Sequence, residues 1–154
     1  PQDVDLHYRL GMVYEKGNRH RESMEEMETV LTIDPNNADA LNFIGYSYAE
    51  RNIRLDEAEE LVKRALQLKP DNGYIMDSLG WVYFRQNRTA EAIRYLEKAL
   101  DLLPEDPTIA GHLGDAYQKN GQREKALEVY KRALHHNPDD DSLKEKIRNI
   151  TPGE

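Results

Sequence analysis

The stretch "DALNFIGYSYAE", residues 39–50, has the apolar spacing of a helix but contains a glycine near its centre. Glycine in a helix interior costs about 1 kcal/mol relative to alanine, so Gly45 needs a packing or functional reason. The same arrangement occurs three more times, as "LGMVY" from Leu10, "LGWVY" from Leu79 and "LGDAY" from Leu113. The glycine is therefore one position of an internal repeat.

A proline marks the same period at the other end of each repeat. Pro35, Pro70, Pro104 and Pro138 are 35, 34 and 34 residues apart, and each follows a similar phrase such as "LTID" or "LQLK". A period near 34 residues with a Leu-Gly…Tyr…Ala…Pro pattern is typical of tetratricopeptide repeats. The chain resembles that family over nearly its whole length.

The residues of one repeat predict two packed helices. In the third repeat, Gly80 and Tyr83 lie on a first helix, the turn is "RQNR", and Ala92 and Leu96 share one face of a second helix. Small residues at Gly80 and Ala92 predict that the two backbones approach closely, with the larger side chains filling the space between them. Pro104 ends the second helix, and the acidic or amide residues beside it can cap the next helix.

The resemblance implies an all-α fold, a right-handed α-solenoid of four helix-turn-helix repeats followed by a capping helix. We expect a single domain with repeats at 4–37, 38–72, 73–106 and 107–140, and the capping helix at 141–150. That last helix has Leu143, Ile147 and Ile150 along one face, which suits it to cover the apolar edge of the fourth repeat. The alternative is a frayed tail. Because the chain opens at "PQDVD" without a methionine, we expect it to be a fragment of a longer protein.

Composition excludes several classes of partner and site. The chain of 154 residues has a net charge of −8, which argues against nucleic acid and anionic membrane as partners because both need a basic face. No apolar run approaches the roughly 18 residues of a membrane span, so direct membrane insertion is not expected. The absence of cysteine excludes disulfides, thiolate metal sites and thiol nucleophiles.

No motif of catalytic or cofactor chemistry is present in the sequence. There is no glycine-rich phosphate loop, no zinc-binding histidine pair at helical spacing and no calcium-binding loop. His135 and His136 are adjacent and point to different faces of a helix end, while His112 is isolated in the sequence. The serines have no nearby histidine partner. We therefore predict no catalytic, cofactor or metal site, and we do not expect an enzyme.

The family resemblance also identifies a candidate binding surface, since the first helices of tetratricopeptide repeats line a concave groove. Aromatic and methionine side chains on such a face are typical of binding hot spots, and Trp81 and Tyr46 are the strongest anchor candidates. The alternative is that these side chains pack against the helix of a neighbouring repeat. Tyr14, Tyr48, Tyr83 and Tyr117 follow the repeat pattern and are assigned to its core. The predicted groove residues are Tyr8, Met12, Asp39, Asn42, Tyr46, Tyr74, Asp77, Trp81, Phe84, Arg85 and Asp115.

The charges of these positions indicate the kind of partner. One branch of the family grips a C-terminal carboxylate with lysines and asparagines, but the matching positions here hold Tyr8, Met12, Phe43, Tyr74 and Ser78. The carboxylate clamp is missing, so an acidic tail is not expected. The aspartates and aromatics of the groove predict instead a protein or peptide with basic and apolar side chains.

These observations favour a non-catalytic scaffold or adaptor that binds a peptide or a partner helix in its groove. A self-assembly module is the alternative, in which an exposed end of the repeat array pairs with another copy to form a homo-oligomer. A third possibility is an enzyme subunit whose active site lies outside this sequence. The second and third repeats also resemble the C-terminal part of long bacterial tetratricopeptide proteins, many of them exported lipoproteins. That resemblance favours a periplasmic or envelope location, while the sequence itself leaves the compartment open.

Overall fold

The computed structural model describes residues 3–151, which contain nine α-helices and no strand. The chain divides into two compact units, Pro1–Pro70 with the first four helices and Asp71–Glu154 with the remaining five. The helices are α1 Val4–Lys16, α2 His20–Ile33, α3 Ala38–Glu50, α4 Leu55–Leu68, α5 Gly73–Arg85, α6 Thr89–Leu102, α7 Pro107–Lys119, α8 Arg123–His136 and α9 Asp141–Ile150.

Each odd-numbered helix begins at an aspartate or asparagine cap. The side chains of Asp3, Asn37, Asn72, Asp106 and Asp140 each accept a hydrogen bond from the backbone N–H three residues further on. Such a cap satisfies one of the otherwise unpaired N–H groups of a helix start and contributes about 1 kcal/mol. The first helix of every repeat therefore has its own start signal, and α9 begins with the same one.

The turn inside each repeat ends at a residue with positive φ. Asn18, Asn52, Asn87 and Gly121 have φ values of 57°, 53°, 63° and 76°, and each comes seven residues after its repeat glycine. Asparagine and glycine adopt this left-handed conformation most readily. The second repeat has one extra residue in this turn, and Arg54, directly before α4, also has a positive φ of 47°.

The repeat glycine lets the two helices of a repeat pack closely. A Cβ atom at Gly80 would lie 2.6 Å from Leu96 Cγ and 3.2 Å from the carbonyl oxygen of Ala92. Ala92, Leu96 and Ala99 of α6 are fully buried on the facing side. The prediction that Gly80 is a packing residue is confirmed, because any side chain there would overlap its neighbour.

The first repeat uses different residues at the same positions of its second helix. Ser23, Met27 and Val30 replace the Ala, Leu, Ala set of α6, and all three are fully buried. The Ser23 hydroxyl donates a hydrogen bond of 2.8 Å to the carbonyl oxygen of Gly11, so the polar atom is satisfied inside the packed pair. Methionine adapts its flexible chain to the remaining space.

Helix α9 covers the edge of the last repeat, as the sequence predicts. Its Leu143 and Ile150 are buried, at 2% and 8% exposure, and α9 packs against α8. Arg148 of α9 stands eight residues after the cap, where the first helix of each repeat has its glycine. Its long side chain is incompatible with the close approach of a second helix seen at Gly80. The expected α-solenoid fold class with a capping helix is confirmed.

Candidate peptide-binding site

We call the surface formed by the predicted groove residues the groove face, and each compact unit has its own part of it. In Pro1–Pro70, Tyr8 is partly buried, Met12 is 37% exposed and Asp39 is exposed. The pKa of Tyr8 is raised by burial and, to a smaller extent, by the negative charge of Asp39. Lys69 Nζ lies 3.0 Å from Asp39 Oδ1. A phenol, an aspartate and a lysine thus meet at one end of this part of the face.

Two further predicted residues of this unit, Asn42 and Tyr46, are partly buried on α3. The Oδ1 atom of Asn42 is buried and has no hydrogen-bond donor among residues 3–151. An unsatisfied buried acceptor costs about 1–3 kcal/mol. Asn42 is therefore a position at which a ligand or a small rearrangement would supply a missing bond.

In Asp71–Glu154 the central aromatic residue is buried. Trp81 is only 7% exposed, and its ring stacks on Phe84 at 4.7 Å and on His112 at 4.0 Å between centroids. The Arg85 guanidinium carbon lies 5.0 Å from the centroid of the same ring. For Trp81 the structure shows the packing that the sequence left as the alternative, because His112 of α7 and two residues of its own helix cover the ring.

Asp77 is also buried, at 6% exposure, and forms a hydrogen-bonded pair with His112. The distance from His112 Nδ1 to Asp77 Oδ1 is 2.8 Å, and since an aspartate accepts, Nδ1 is the nitrogen that holds the proton. The sequence interpretation set His112 aside as isolated. The two residues are 35 positions apart, about one repeat length, which is the pattern that would have paired them.

Asp115 is the centre of a second polar cluster. Both of its carboxylate oxygens lie 2.8 Å from Lys146 Nζ of α9. The Tyr130 hydroxyl donates to Asp115 Oδ1 at 2.5 Å and accepts from Gln118 Nε2 at 3.1 Å. Burial, followed by the hydrogen bond to Asp115, raises the pKa of Tyr130. Sequence reasoning treated α9 only as a cap and missed Lys146 as a groove residue.

These pairs change the expected charge of the groove face. Asp39, Asp77 and Asp115 were predicted to make it acidic, but each has a lysine or histidine partner within 3.0 Å. A paired carboxylate attracts a second cation much less than a lone one. Lysine thus offsets the charge of Asp39 and Asp115, and Asp77 is buried against His112, so the groove face is less acidic than its composition suggests.

The remaining predicted residues lie nearer the surface. Tyr74 is 58% exposed and borders a shallow hollow beside Leu102 and Pro104. Phe84 and Arg85 are partly buried, and Lys119 Nζ lies 4.8 Å from the Phe84 ring centroid. Tyr74 therefore lies outside a second hollow, which Trp81 and Asp115 both line.

That shared hollow is a cavity of about 290 Å³ bordered by α5, α7 and the start of α9. It brings together two of the predicted groove residues, Trp81 and Asp115, with Thr108 and Gly111, which the family pattern also places on the groove side of the fourth repeat. The other lining residues are Pro107, His112, Asp140, Ser142, Leu143 and Lys146. All of the lining residues belong to odd-numbered helices or their caps, so the cavity opens on the groove face rather than towards the second helices.

Metal-binding clusters and membrane-spanning helices are both absent from the described residues. Residues 3–151 contain no group of three or more histidine, aspartate or glutamate side chains arranged to hold a metal ion. None of the helices in that range has the length and apolar character needed to cross a membrane.

Known proteins share this repeat. Three family models, each described as tetratricopeptide repeat, match residues 4–37, 36–105 and 83–149. A repeat-containing protein of the same kind from Pseudomonas aeruginosa is 42% identical over 96 residues, which is 62% of this chain and 16% of that protein. The chain therefore spans about a sixth of the length of this relative.

Solved structures agree on the fold. PilW, a widely conserved type IV pilus biogenesis factor, is 28% identical with a TM-score of 0.84, covering 97% of this chain and 69% of PilW. PilF of Pseudomonas aeruginosa is 24% identical with a TM-score of 0.75, covering 97% and 72%. The crystal structure of MamA is 22% identical with a TM-score of 0.72, covering 96% and 80%. Together with the repeat period, the caps and the packing glycines, the three family-model matches show that the chain belongs to the tetratricopeptide-repeat family.

Proposed function

We propose that this chain is a non-catalytic protein-interaction scaffold or adaptor that holds a peptide or a partner helix against its groove face. The observation that supports the proposal is a set of large side chains on first helices that remain wholly or partly exposed. Met12 is 37% exposed and Tyr74 is 58% exposed, while Tyr8 and Tyr46 are partly buried. Tyrosine and methionine are enriched at protein interfaces, where they supply contact area.

The partner that suits this face is chiefly apolar. An acidic tail has no carboxylate clamp to hold it, and the internal pairing of the groove aspartates weakens the attraction for basic side chains. Basic residues are then a secondary preference that assists encounter, because rim charges mainly affect association rates. We expect binding to change little with salt, in contrast to a charge-driven complex.

Site-specific photocrosslinking in the bacterium that encodes the protein tests this function. A photoreactive amino acid at Met12 or Tyr74 samples the groove face, and one at the exposed Lys131 of α8 is the matched control on a second helix. We expect the first two positions to crosslink one defined protein that Lys131 does not reach. Equal labelling from all three positions, or none from the groove face, contradicts the proposal.

We also propose that the protein acts in the bacterial envelope. The likeness to PilW, a type IV pilus biogenesis factor, supports this location, as does the resemblance of the second and third repeats to exported bacterial proteins. Cell fractionation of the tagged full-length protein is the test. Recovery only in the cytoplasmic fraction contradicts it.

Self-association is a second candidate function, and one observation favours it. Leu6 and Val13 of α1 are 51% and 63% exposed, whereas Ala40 and Ser47, at the matching positions of α3, are 0% and 7% exposed. An apolar stripe that is buried in one repeat and open in another is a surface for a further helix. Light scattering over a range of concentrations tests it, and we expect Val13→Lys to abolish any dimer. A wild-type chain that stays monomeric throughout rules this candidate out.

A further inference from the structure

Gly111 differs from the other glycines inside the helices of Asp71–Glu154 because no neighbour requires it. A Cβ atom at Gly111 would meet only Lys146 Cε, at 3.7 Å, which is ordinary van der Waals contact. At Gly114, one turn further along α7, the same atom would lie 2.1 Å from Tyr130 Cε1. Helix α7 thus includes a residue that costs about 1 kcal/mol relative to alanine without a packing reason.

The space that Gly111 leaves open is the cavity of about 290 Å³. This volume is close to the lower end of ligand pockets, about 300 Å³, and is large enough to admit one large side chain. Trp81, Pro107, Leu143 and the hydrocarbon stem of Lys146 make part of the wall apolar, and the rest is polar. Glycine in a helix permits close approach of another chain to the backbone.

The charged groups around the cavity already have partners. Asp115 is paired with Lys146 at 2.8 Å, and the Asp140 side chain accepts the backbone N–H of Leu143. A charged ligand group beside the Asp115–Lys146 pair would lose water without gaining a free counter-ion, which is unfavourable in a partly buried site. An uncharged group meets no such penalty.

We propose that the cavity over Gly111 receives one uncharged, apolar side chain of leucine or phenylalanine size from a partner segment bound on the groove face. The inference rests on the proposed peptide-binding function and adds a specificity site to it. Gly111 provides the floor, Trp81 and Leu143 provide apolar walls, and the Asp115–Lys146 pair forms a polar border. The position of this pocket fixes where along the partner the apolar residue lies.

Nuclear magnetic resonance titration with five blocked tripeptides tests the proposal. Each has alanine at both ends and leucine, phenylalanine, lysine, glutamate or alanine in the middle. The signals to follow are the Gly111 backbone amide and the indole N–H of Trp81, the single tryptophan of the chain. Gly111→Leu fills the cavity, and Gly111→Ala, which adds one methyl group, narrows it without filling it. Melting temperatures test whether both variants stay folded.

We expect saturable shifts of both signals with the leucine and phenylalanine peptides, and at least tenfold weaker binding to Gly111→Leu. If Gly111→Leu melts at a lower temperature than the parent chain, the test relies on Gly111→Ala, for which we expect peptide binding at least threefold weaker than that of the parent. Equal binding of the lysine or glutamate peptide, undiminished binding to the filled variant, or no shift with any peptide overturns the proposal. Shifts confined to Tyr8 and Tyr46 also overturn it, but leave the broader groove function standing.

Discussion

Two alanine substitutions in α7 should have opposite effects on stability, although each of them replaces a glycine. In Gly114→Ala, the new Cβ would lie 2.1, 2.4 and 2.7 Å from three ring atoms of Tyr130. That ring cannot swing away freely, because Tyr130 is fully buried and its hydroxyl is bonded to Asp115 and Gln118. In Gly111→Ala, the only contact is the 3.7 Å approach to Lys146 Cε.

The expected magnitudes follow from two opposing effects. Overpacking of a well-filled site costs about 1–3 kcal/mol, and the gain in helix propensity from glycine to alanine returns up to about 1 kcal/mol. For Gly114→Ala we expect a net loss of about 1–2 kcal/mol, which lowers the melting temperature by roughly 2–8 °C in a chain of this size. For Gly111→Ala only the propensity gain remains, so the melting temperature should rise by up to about 2–4 °C.

Thermal melts followed by circular dichroism at 222 nm, the helix signal, measure both variants beside the parent chain. The double variant measures the coupling between the two sites, because Lys146 and Tyr130, the side chains they approach, both bond to Asp115. A Gly114→Ala protein that melts at or above the parent, or two variants that shift in the same direction, would refute the packing argument.

Three further changes test other parts of the structure. Deleting 141–154 removes α9 and should lower the melting temperature and promote association, which light scattering detects; a shortened chain that melts like the parent and stays monomeric contradicts the capping role. Asp77→Ala leaves the buried His112 N–H without an acceptor and should destabilise by about 1–3 kcal/mol in urea unfolding, while Asp77→Asn, which keeps an acceptor, should cost less; equal losses contradict the assigned bond. Because the pKa of Tyr130 is raised on folding, its contribution to stability is complete below the unfolded pKa near 10 and declines as pH rises above it. The melting temperature of Tyr130→Phe should therefore fall less steeply above pH 10 than that of the parent, and parallel curves contradict this linkage.

The helical framework could be predicted because its determinants are local in sequence. A cap, a glycine and a proline recur at fixed intervals, and each acts on residues of its own or the adjoining repeat. Gly80 shows this well, since its contact with Leu96 lies within one repeat. The family pattern therefore led directly to the paired helices and the capping helix.

The chemistry of the groove face could be predicted only in part, because it depends on what neighbouring helices provide. The position of Trp81 in the repeat predicts that it lies on the groove face, but it does not predict that His112 and Phe84 cover the ring. In the same way, the count of aspartates suggested an acidic surface, whereas Asp115 is neutralised by Lys146, 31 residues away. Burial and ion pairing of these side chains are tertiary effects that a single-sequence pattern does not contain.

The separate cap at the start of each first helix has a consequence for how such a chain can change. The turn before α4 has one additional residue, and Arg54 at its end has a positive φ. The next first helix, α5, still has its cap at Asn72 and its glycine eight residues after that cap. A change in the length of one turn therefore does not alter the spacing between the cap and the glycine in the next repeat. Insertions and deletions in these turns are therefore a route by which the loops can diversify while each groove-face residue keeps its position within its own repeat.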